Sequence, residues 1–510
     1  MGIPSYFRRI LQKYPGCLSK YAPKDVSALC FDFNCLIYRC IRAPGMPPAP
    51  SSIDSDGIQI WETALLQEVR KTVVEVWKAA GQPKKVVLAV DGVVPMAKIR
   101  QQRVRRFKSA WLRKQLGNAT DAWDSNAITP GTAFMEKLTR ELEGLAKEKG
   151  KGWAVSGIQE PGEGEHKIMH WLREGNGGKG AIIYGLDADL ILLSMLQGLP
   201  LWLLRENQEF GGKLVQNADG EQEYTFMNIE EFKKRVGIQK DSKEETLNYV
   251  ALMSLMGNDF LPHGVTHKLN DDGHECVMKE FRGMCQRGGW LVVEGRLQFP
   301  VLLEICKRWA SDEEARMFHM IQKKREQASR GVGKGMDESE ALPLEWNVEK
   351  DLLENGALLK EWREVYWSWI HPCAEASVKE RVCAEYVYGC QWILDYYTGK
   401  KVNRAWMFPG WTPPLWSDLA NWVKTHTEVP CIEAEDVEIK PEEQLAMVLP
   451  LDSWGLVRDK KLRRLPYLAP QMWPMKFEFF SLGRKWLWEC EARVPVLTAV
   501  RLREILSAAM

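Results

Sequence analysis

The chain has 510 residues, 45% of them hydrophobic, with 69 Lys and Arg balanced by 68 Asp and Glu. That length and apolar content supply cores for two or three domains and exclude disorder as the default, while a formal net charge of +1 excludes a global attraction to nucleic acid. No apolar run reaches the roughly 18 residues of a membrane span, and the N-terminal MGIPSYFRRI lacks the apolar centre of a secretory signal, so a soluble, intracellular protein without membrane association is expected.

The first element, 28-ALCFDFN-34, is one of three short apolar runs that end in aspartate; 86-VVLAVDG-92 and 181-AIIYGLDAD-189 are the others. Continuous apolar strands separated by helices are the pattern of a parallel sheet covered on both faces. Ligands of such sheets sit beyond the carboxyl ends of the strands, which brings Asp32, Asp91, Asp187 and Asp189 to one edge. Cys30, Cys35 and Cys40 recur every five residues, matching neither a zinc site nor a redox motif, and the twelve cysteines read as reduced thiols. The stretch 44-PGMPPAP-50 is expected to be an exposed loop.

After Asp91, residues 96 to 114 (MAKIRQQRVRRFKSAWLRK) hold eight basic side chains and no acidic one, so charge is segregated in this chain. Lys98, Gln102, Arg105 and Arg106 fall at i, i+4, i+7 and i+8, and at 100° per residue they share one stripe roughly 100° wide. Arg100 and Arg103 point elsewhere. A lysine, an amide and two arginines on one stripe suit a phosphate. The competing reading is a basic surface helix touching RNA nonspecifically.

In 158-IQEPGEGEHKIMHWLRE-174 a helix can start at Pro161 and Gly162, which leaves Glu163 and Glu165 two readings. They complement the positive end of the helix dipole, or they face a metal. Further on, 244-EETLNYVALMSLMGNDFLPH-263 reads as an amphipathic helix stopped by Gly257, with Asp259 in the turn and Pro262 preventing continuation. A charged surface helix is predicted at 311–328, and 329-SRGVGKGMDESEALP-343 reads as a linker between region 1–328 and region 344–510. The second region carries many of the 22 tryptophans and reads as a largely helical lobe packed on the first. Most of these rings belong in the core, and a few on a groove suit base stacking.

Seven carboxylates converge in this scheme: Asp32, Asp91, Glu163, Glu165, Asp187, Asp189 and Asp259. Like charges about 4 Å apart repel by roughly 4 kcal/mol per pair at an effective dielectric near 20, so bound cations or shifted pKa values must relieve them. Oxygen ligands favour hard ions, Mg²⁺ or Mn²⁺. Two such ions about 4 Å apart are suited to phosphodiester hydrolysis.

The blocks MGIPSYFRRI, AVDGVVPMAKIRQQRVRRFK, SNAITPGTAFM, EPGEGEHKIM, IYGLDADLILL and MGNDFLPH resemble, in order and spacing, the signature blocks of the XRN-type 5′→3′ exoribonucleases. YGCQWILDYYTG, WMFPGW, KPEEQLAMVLP and RKWLWECEARVP resemble that family's second region more loosely. The resemblance implies a PIN or flap-nuclease-like α/β core with a mostly parallel sheet, and a helical lobe closing the active site. It implies that the seven acids bind metal and that Lys98, Gln102, Arg105 and Arg106 bind a 5′-monophosphate. The implied substrate is single-stranded RNA bearing that group, degraded processively to 5′-mononucleotides in RNA decay or processing, while a cap or triphosphate does not fit. Where the family has a base-stacking histidine this chain has Tyr38, and the partner tryptophan corresponds to Trp406 in 404-RAWMFP-409. The chain stops after the second region, like a compact member lacking C-terminal extensions. No residue pattern specifies a protein partner or a choice between nucleus and cytoplasm.

Two rival readings are a flap-type structure-specific DNA nuclease, for which no helix-hairpin-helix signature is present, and a catalytically inactive RNA-binding scaffold, which would tolerate loss of acids. His166 and His263 lie inside the blocks, where a helix-surface or loop-stabilising role competes with substrate contact.

Overall fold

The computed structural model describes residues 6–51, 54–116, 122–207, 215, 222–331, 338–346, 348–370, 375–433, 435 and 437–508. The start of the MGIPSYFRRI block and residues 332–337 of the expected linker lie outside the described residues. Seven strands form one sheet: β1 (Leu18–Ser19), β2 (Ala28–Asp32), β3 (Lys85–Ala89), β4 (Trp153–Ser156), β5 (Ala181–Tyr184), β6 (Leu201–Glu206) and β7 (Tyr224–Asn228). Their order is β1-β7-β6-β5-β2-β3-β4. The five strands from β4 to β6 are parallel, while β7 and β1 close the far edge antiparallel.

From β2 the chain steps one way to β3 and β4 and then returns to β5 and β6 on the other side. The order therefore reverses at β2, and a crevice opens there beyond the carboxyl ends of the strands. The register puts Asp32 level with Ala89 and Phe31 level with Tyr184. Asp91 thus lies two residues past its strand end and Asp187 three past its own.

Helices α1 (Tyr6–Lys13), α2 (Asn34–Ile41), α3 (Ser55–Ala79), α4 (Met96–Gln115), α5 (Ala133–Lys149) and α6 (Gly164–Trp171) belong to the first half of the chain. They are followed by α7 (Asp189–Met195), α8 (Ile229–Val236), α9 (Lys243–Ser254), α10 (His274–Arg287), α11 (Phe299–Ser311) and α12 (Glu313–Arg330). Both faces of the sheet are covered, which is why its strands are apolar without alternation. Leu29 and Phe31 of β2 pack against Leu36, Leu65, Val69 and Leu138 of α2, α3 and α5. Ala28 and Cys30 on the opposite face belong to the cluster of Ile168, Ile191 and Tyr249 from α6, α7 and α9. Local sequence sets these helices: Thr132 caps α5 by accepting from Met135 N, and Phe134, Leu138, Leu142 and Leu145 put one buried stripe along it.

Two expectations are corrected. The run 181–189 is not all strand: β5 ends at Tyr184, and Asp189 is the first residue of α7. The helix expected to be amphipathic, α9, is buried nearly all round from Glu245 to Ser254, because it lies between α10 and α14 (Ala376–Thr398), so its polar side chains are core residues. The loop at 44–50 is largely exposed, as its prolines suggested.

The second lobe is largely helical. It consists of α13 (Trp362–Ile370), α14, α15 (Trp416–Thr425), α16 (Pro441–Val448), α17 (Leu465–Leu468) and α18 (Ala499–Ser507). It shares cores with the first lobe: Tyr386 and Ile393 of α14 lie in the same cluster as Ala28 and Val87. One side of α4, through Met96, Ile99, Val104 and Phe107, packs on Leu445, Val448 and Leu502. That helix is the spine between the lobes. Among the described residues no helix is long and apolar enough to cross a membrane.

Candidate active site

The turn before α6 is tied to the end of β3 backbone to backbone. Gly92 N donates to Gly162 O at 2.9 Å, and Gly162 N returns to Val93 O at 2.8 Å. Gly162 has φ +119°, a conformation that L side chains rarely adopt. At Gly164 the constraint is space, since a Cβ there would lie 2.7 Å from both Ala89 O and Asp32 Oδ1. These contacts bring α6 down onto the strand ends. Gly164 N donates to Asp91 Oδ1 at 2.7 Å, and Asn34 Nδ2 to Asp91 Oδ2 at 2.9 Å.

Glu163 occupies the N-cap position of α6, yet its side chain makes no capping hydrogen bond. Both glutamates turn inward, Glu163 at 3% and Glu165 at 4% exposure. Burying two carboxylates costs more than a helix dipole returns, so complementing the dipole does not by itself account for the burial of this pair.

Ligand atoms of Asp32, Glu165 and Asp187 lie within 4.8 Å of one another, and those of Glu163, Glu165 and His166 do likewise. Glu165 belongs to both groups. Lys98 joins the remaining side: its Nζ is 2.5 Å from Glu163 Oε2 and 2.6 Å from Asp259 Oδ2. Burial pushes Asp32 well above the usual carboxylate range, and Asp91 and Asp187 add to it. Glu165 is raised by burial and then by Glu163. Asp189 is raised to about 7 by burial and by Asp259. For Asp259 burial acts in the same direction, but the Lys98 ammonium outweighs it and holds the carboxyl low.

Glu165 Oε2 and Asp189 Oδ1 are buried without a hydrogen-bond partner among the described residues. Orphaned acceptors among crowded carboxylates fit a hard divalent cation, which supplies the missing partner and the missing charge together. His166 widens the expected oxygen-only donor set. Burial drives its imidazole down to about 3, so the ring is neutral, and its Nε2 has no hydrogen-bond partner.

The basic stripe of α4 borders this cluster, but its four members do different things. Lys98 is shared between Glu163 and Asp259. Arg106 is buried and donates to Thr129 Oγ1 at 2.5 Å, and burial lowers it to about 10, with Arg105 next to it adding to the effect. Gln102 Oε1 is buried without a partner. Arg105 is half-buried and lines a cavity on the other flank of the helix. Arg100 and Arg103 point away, Arg100 to Gly410 O at 2.7 Å.

Tyr38 of α2 is 39% exposed, and its hydroxyl is close enough to Arg106 to favour that charge. Trp406 is not brought to the site. It is 2% exposed, donates to Glu385 Oε2 at 2.7 Å and packs on Tyr388 and Trp392, so neither ring face is open to a base. The aromatic residue that does reach the acids is Tyr396, which sequence reading missed. Its hydroxyl donates to Glu163 Oε1 at 3.1 Å and its ring stacks on His166 at 3.8 Å. The spacing of Trp392, Tyr396 and Tyr397 on one helical stripe was the available signal. His263 has the loop-stabilising role, with Nδ1 3.3 Å from Met256 O.

Two family models match the chain: the XRN 5′-3′ exonuclease N-terminus over residues 1–207, and the Xrn1 helical domain over 358–509. The chain is similar to 5′-3′ exoribonuclease 1 of Homo sapiens, with 27% identity covering 99% of this chain and 34% of that protein. It is also similar to 5′-3′ exoribonuclease 1 of Schizosaccharomyces pombe, at 30% identity over 60% of this chain and 26% of the relative, and to that of Saccharomyces cerevisiae, at 29% over 59% and 22%. The chain spans less than half the length of each of these curated relatives.

Proposed function

Because this chain belongs to the XRN family of 5′-3′ exonucleases, we propose that it is a 5′→3′ exoribonuclease that hydrolyses 5′-monophosphorylated single-stranded RNA processively to 5′-mononucleotides. The observation that carries the reading is the cluster of Asp32, Glu165 and Asp187, whose ligand atoms lie within 4.8 Å of one another, next to the basic helix α4, on which Gln102 and Arg106 are buried. The first lobe supplies these groups, and α14 of the second lobe adds Tyr396, whose hydroxyl donates to Glu163.

The seven acids would hold two Mg²⁺ or Mn²⁺ ions, which would supply activation of water and neutralisation of the leaving oxygen. Arg106 and Gln102 bind the 5′-phosphate, which fixes the first phosphodiester against the acids. Arg105 adds charge at the helix edge. Tyr38, the exposed ring beside Arg106, stacks on the first base. Lys98, on the same stripe, holds Glu163 and Asp259 at fixed separation beside the phosphate site. A cap or triphosphate on the 5′ end meets the buried wall of α4. The reaction takes place inside the cell, in nucleus or cytoplasm.

The test offers 5′-monophosphate, 5′-hydroxyl and capped RNA with Mg²⁺. Degradation of the first alone, with mononucleotide products, is expected; equal degradation of all three, or release of internal fragments, rejects the 5′-end reading. Asp187→Ala combined with Asp189→Ala should abolish turnover and retain RNA binding, and full activity in that variant rejects the metal assignment.

A further inference from the structure

A second cavity, of about 250 Å³, lies on the flank of α4 that carries Gln101, Arg105 and Lys108. Its other walls come from the segment after α9 and from the stretch containing Arg484 and Trp488. Four cations line it, Arg105, Lys108, Lys268 and Arg484, and none of them makes an ion pair among the described residues. Three of them are held by carbonyls instead. Lys108 Nζ donates to Cys490 O at 2.7 Å, Lys268 to Gly483 O, and Arg484 Nη2 to His263 O at 2.7 Å.

Arg484 is 4% exposed, and its buried Nε has no hydrogen-bond partner. Burial lowers Lys268 to about 8, with the Arg484 charge adding to it. The acids in the walls offset this charge only in part: three of them, Asp259, Glu489 and Glu491, face the four cations, and Glu489 favours the charge of Lys268. Asp259 is paired with Lys98, Glu489 accepts from the backbone N–H of Lys485 and Trp486, and Glu491 favours the charge of Arg100. A buried guanidinium with an unused donor beside an ammonium is a site for a phosphate-type anion. Trp488, 39% exposed, adds an open indole to the wall.

The geometry points to a second nucleotide site here, which takes a 5′-mononucleotide with its phosphate monoester on Arg484 and Lys268 and its base on Trp488. A cavity just below the size of drug-sized ligand pockets suits one nucleotide with its base at the rim, not a strand. Asp259 belongs both to the acidic cluster and to this wall, so a nucleotide released at the cluster lies next to the cavity. The inference rests on the reading that mononucleotides are the product.

The experiment is calorimetric titration of the full chain with AMP, in parallel with adenosine, inorganic phosphate and a 5′-hydroxyl oligonucleotide. Arg106→Gln serves as background to silence the first phosphate site. In that background AMP should bind, and Arg484→Gln should weaken it at least about tenfold, the size of one charge-assisted hydrogen bond. Trp488→Ala should weaken AMP and leave inorganic phosphate unchanged, and because this ring is exposed it decides the matter if Arg484→Gln does not fold. AMP affinity unaltered by both variants overturns the site, as does an oligonucleotide that displaces AMP. These outcomes are separable from the enzymatic reading: RNA degradation with no AMP site sinks this inference alone, and an AMP site without 5′-dependent degradation sinks the enzymatic reading alone.

Discussion

The Lys98 ammonium lies 2.5 Å from Glu163 Oε2, and the same nitrogen reaches Asp259 Oδ2 at 2.6 Å. A lysine fills the place of a counter-ion between two carboxylates that come from different parts of the chain. Lys98→Gln leaves the pair uncompensated, so without divalent ions the variant should melt several degrees below the parent. Mg²⁺ should then raise its midpoint by more than it raises the parent's. Thermal melts of both proteins with and without Mg²⁺ check this, and an equal Mg²⁺ increment shows that Lys98 is no substitute for a cation.

Gly164→Ala places a methyl 2.7 Å from Ala89 O and Asp32 Oδ1. The start of α6 must shift, and Glu163 and Glu165 shift with it. Misplacement of about 1 Å in a catalytic group costs on the order of a hundredfold in rate, so turnover of 5′-monophosphorylated RNA should fall at least about tenfold. The melting midpoint should move by only a few degrees, because alanine suits a helix start. Undiminished turnover contradicts the placement of these glutamates.

Glu313 is fully buried and accepts from Trp416 N at 2.6 Å and Ser417 Oγ at 2.8 Å, but burial prevails and raises its carboxyl to about 7 from 4.5. Below pH 4.5 the group is protonated whether the chain is folded or not. Between 4.5 and 7 the unfolded chain ionises first, so folding loses stability as pH rises, up to about 3 kcal/mol in all. Glu313→Gln does not titrate and should lack this decline. Stability measured from pH 4.5 to 8 on both proteins gives parallel curves if the reading is wrong.

Arg103 joins α4 to the end of the chain. Its guanidinium donates to Met447 O at 2.6 Å, Pro495 O at 2.9 Å and Met472 O, and lies 4.5 Å from the Phe107 ring. Arg103→Ala leaves three carbonyls, that of Met447 buried, without this donor and should cost about 3 kcal/mol or more. Arg103→Lys, with a single ammonium, should recover only part of that. Chemical denaturation distinguishes these outcomes from the bystander case, in which both variants match the parent.

Much of the site was legible because the signals were local. The three apolar runs read as parallel strands since both sheet faces are covered, and their aspartates fell at the crevice because strand direction is fixed. The space that requires glycine at position 164 came only with the structure, where a Cβ would meet Ala89 O and Asp32 Oδ1. Asp189 was misplaced by a few residues for an equally local reason: an apolar helix following an apolar strand shows no break in composition. For α9, periodicity failed because the helix is buried on all sides, and polar residues that look solvent-facing are satisfied inside the core.

The sequence by itself determined the acids, the sheet that gathers them and the stripe on α4, because periodicity and turn chemistry act over a few residues. Only the tertiary structure decided how the charges are shared. Lys98 and Asp259 are separated by 161 positions, and Tyr396 and Glu163 by 233. No spacing rule spans such distances, so the sharing of Lys98 between Glu163 and Asp259 was not legible in the sequence, nor was the packing of Trp406 on Trp392, which stacks in turn on Tyr396. Burial does the rest: once the lobes close over α4, each charge must find a partner at contact distance, and which partner it finds depends on how the lobes pack.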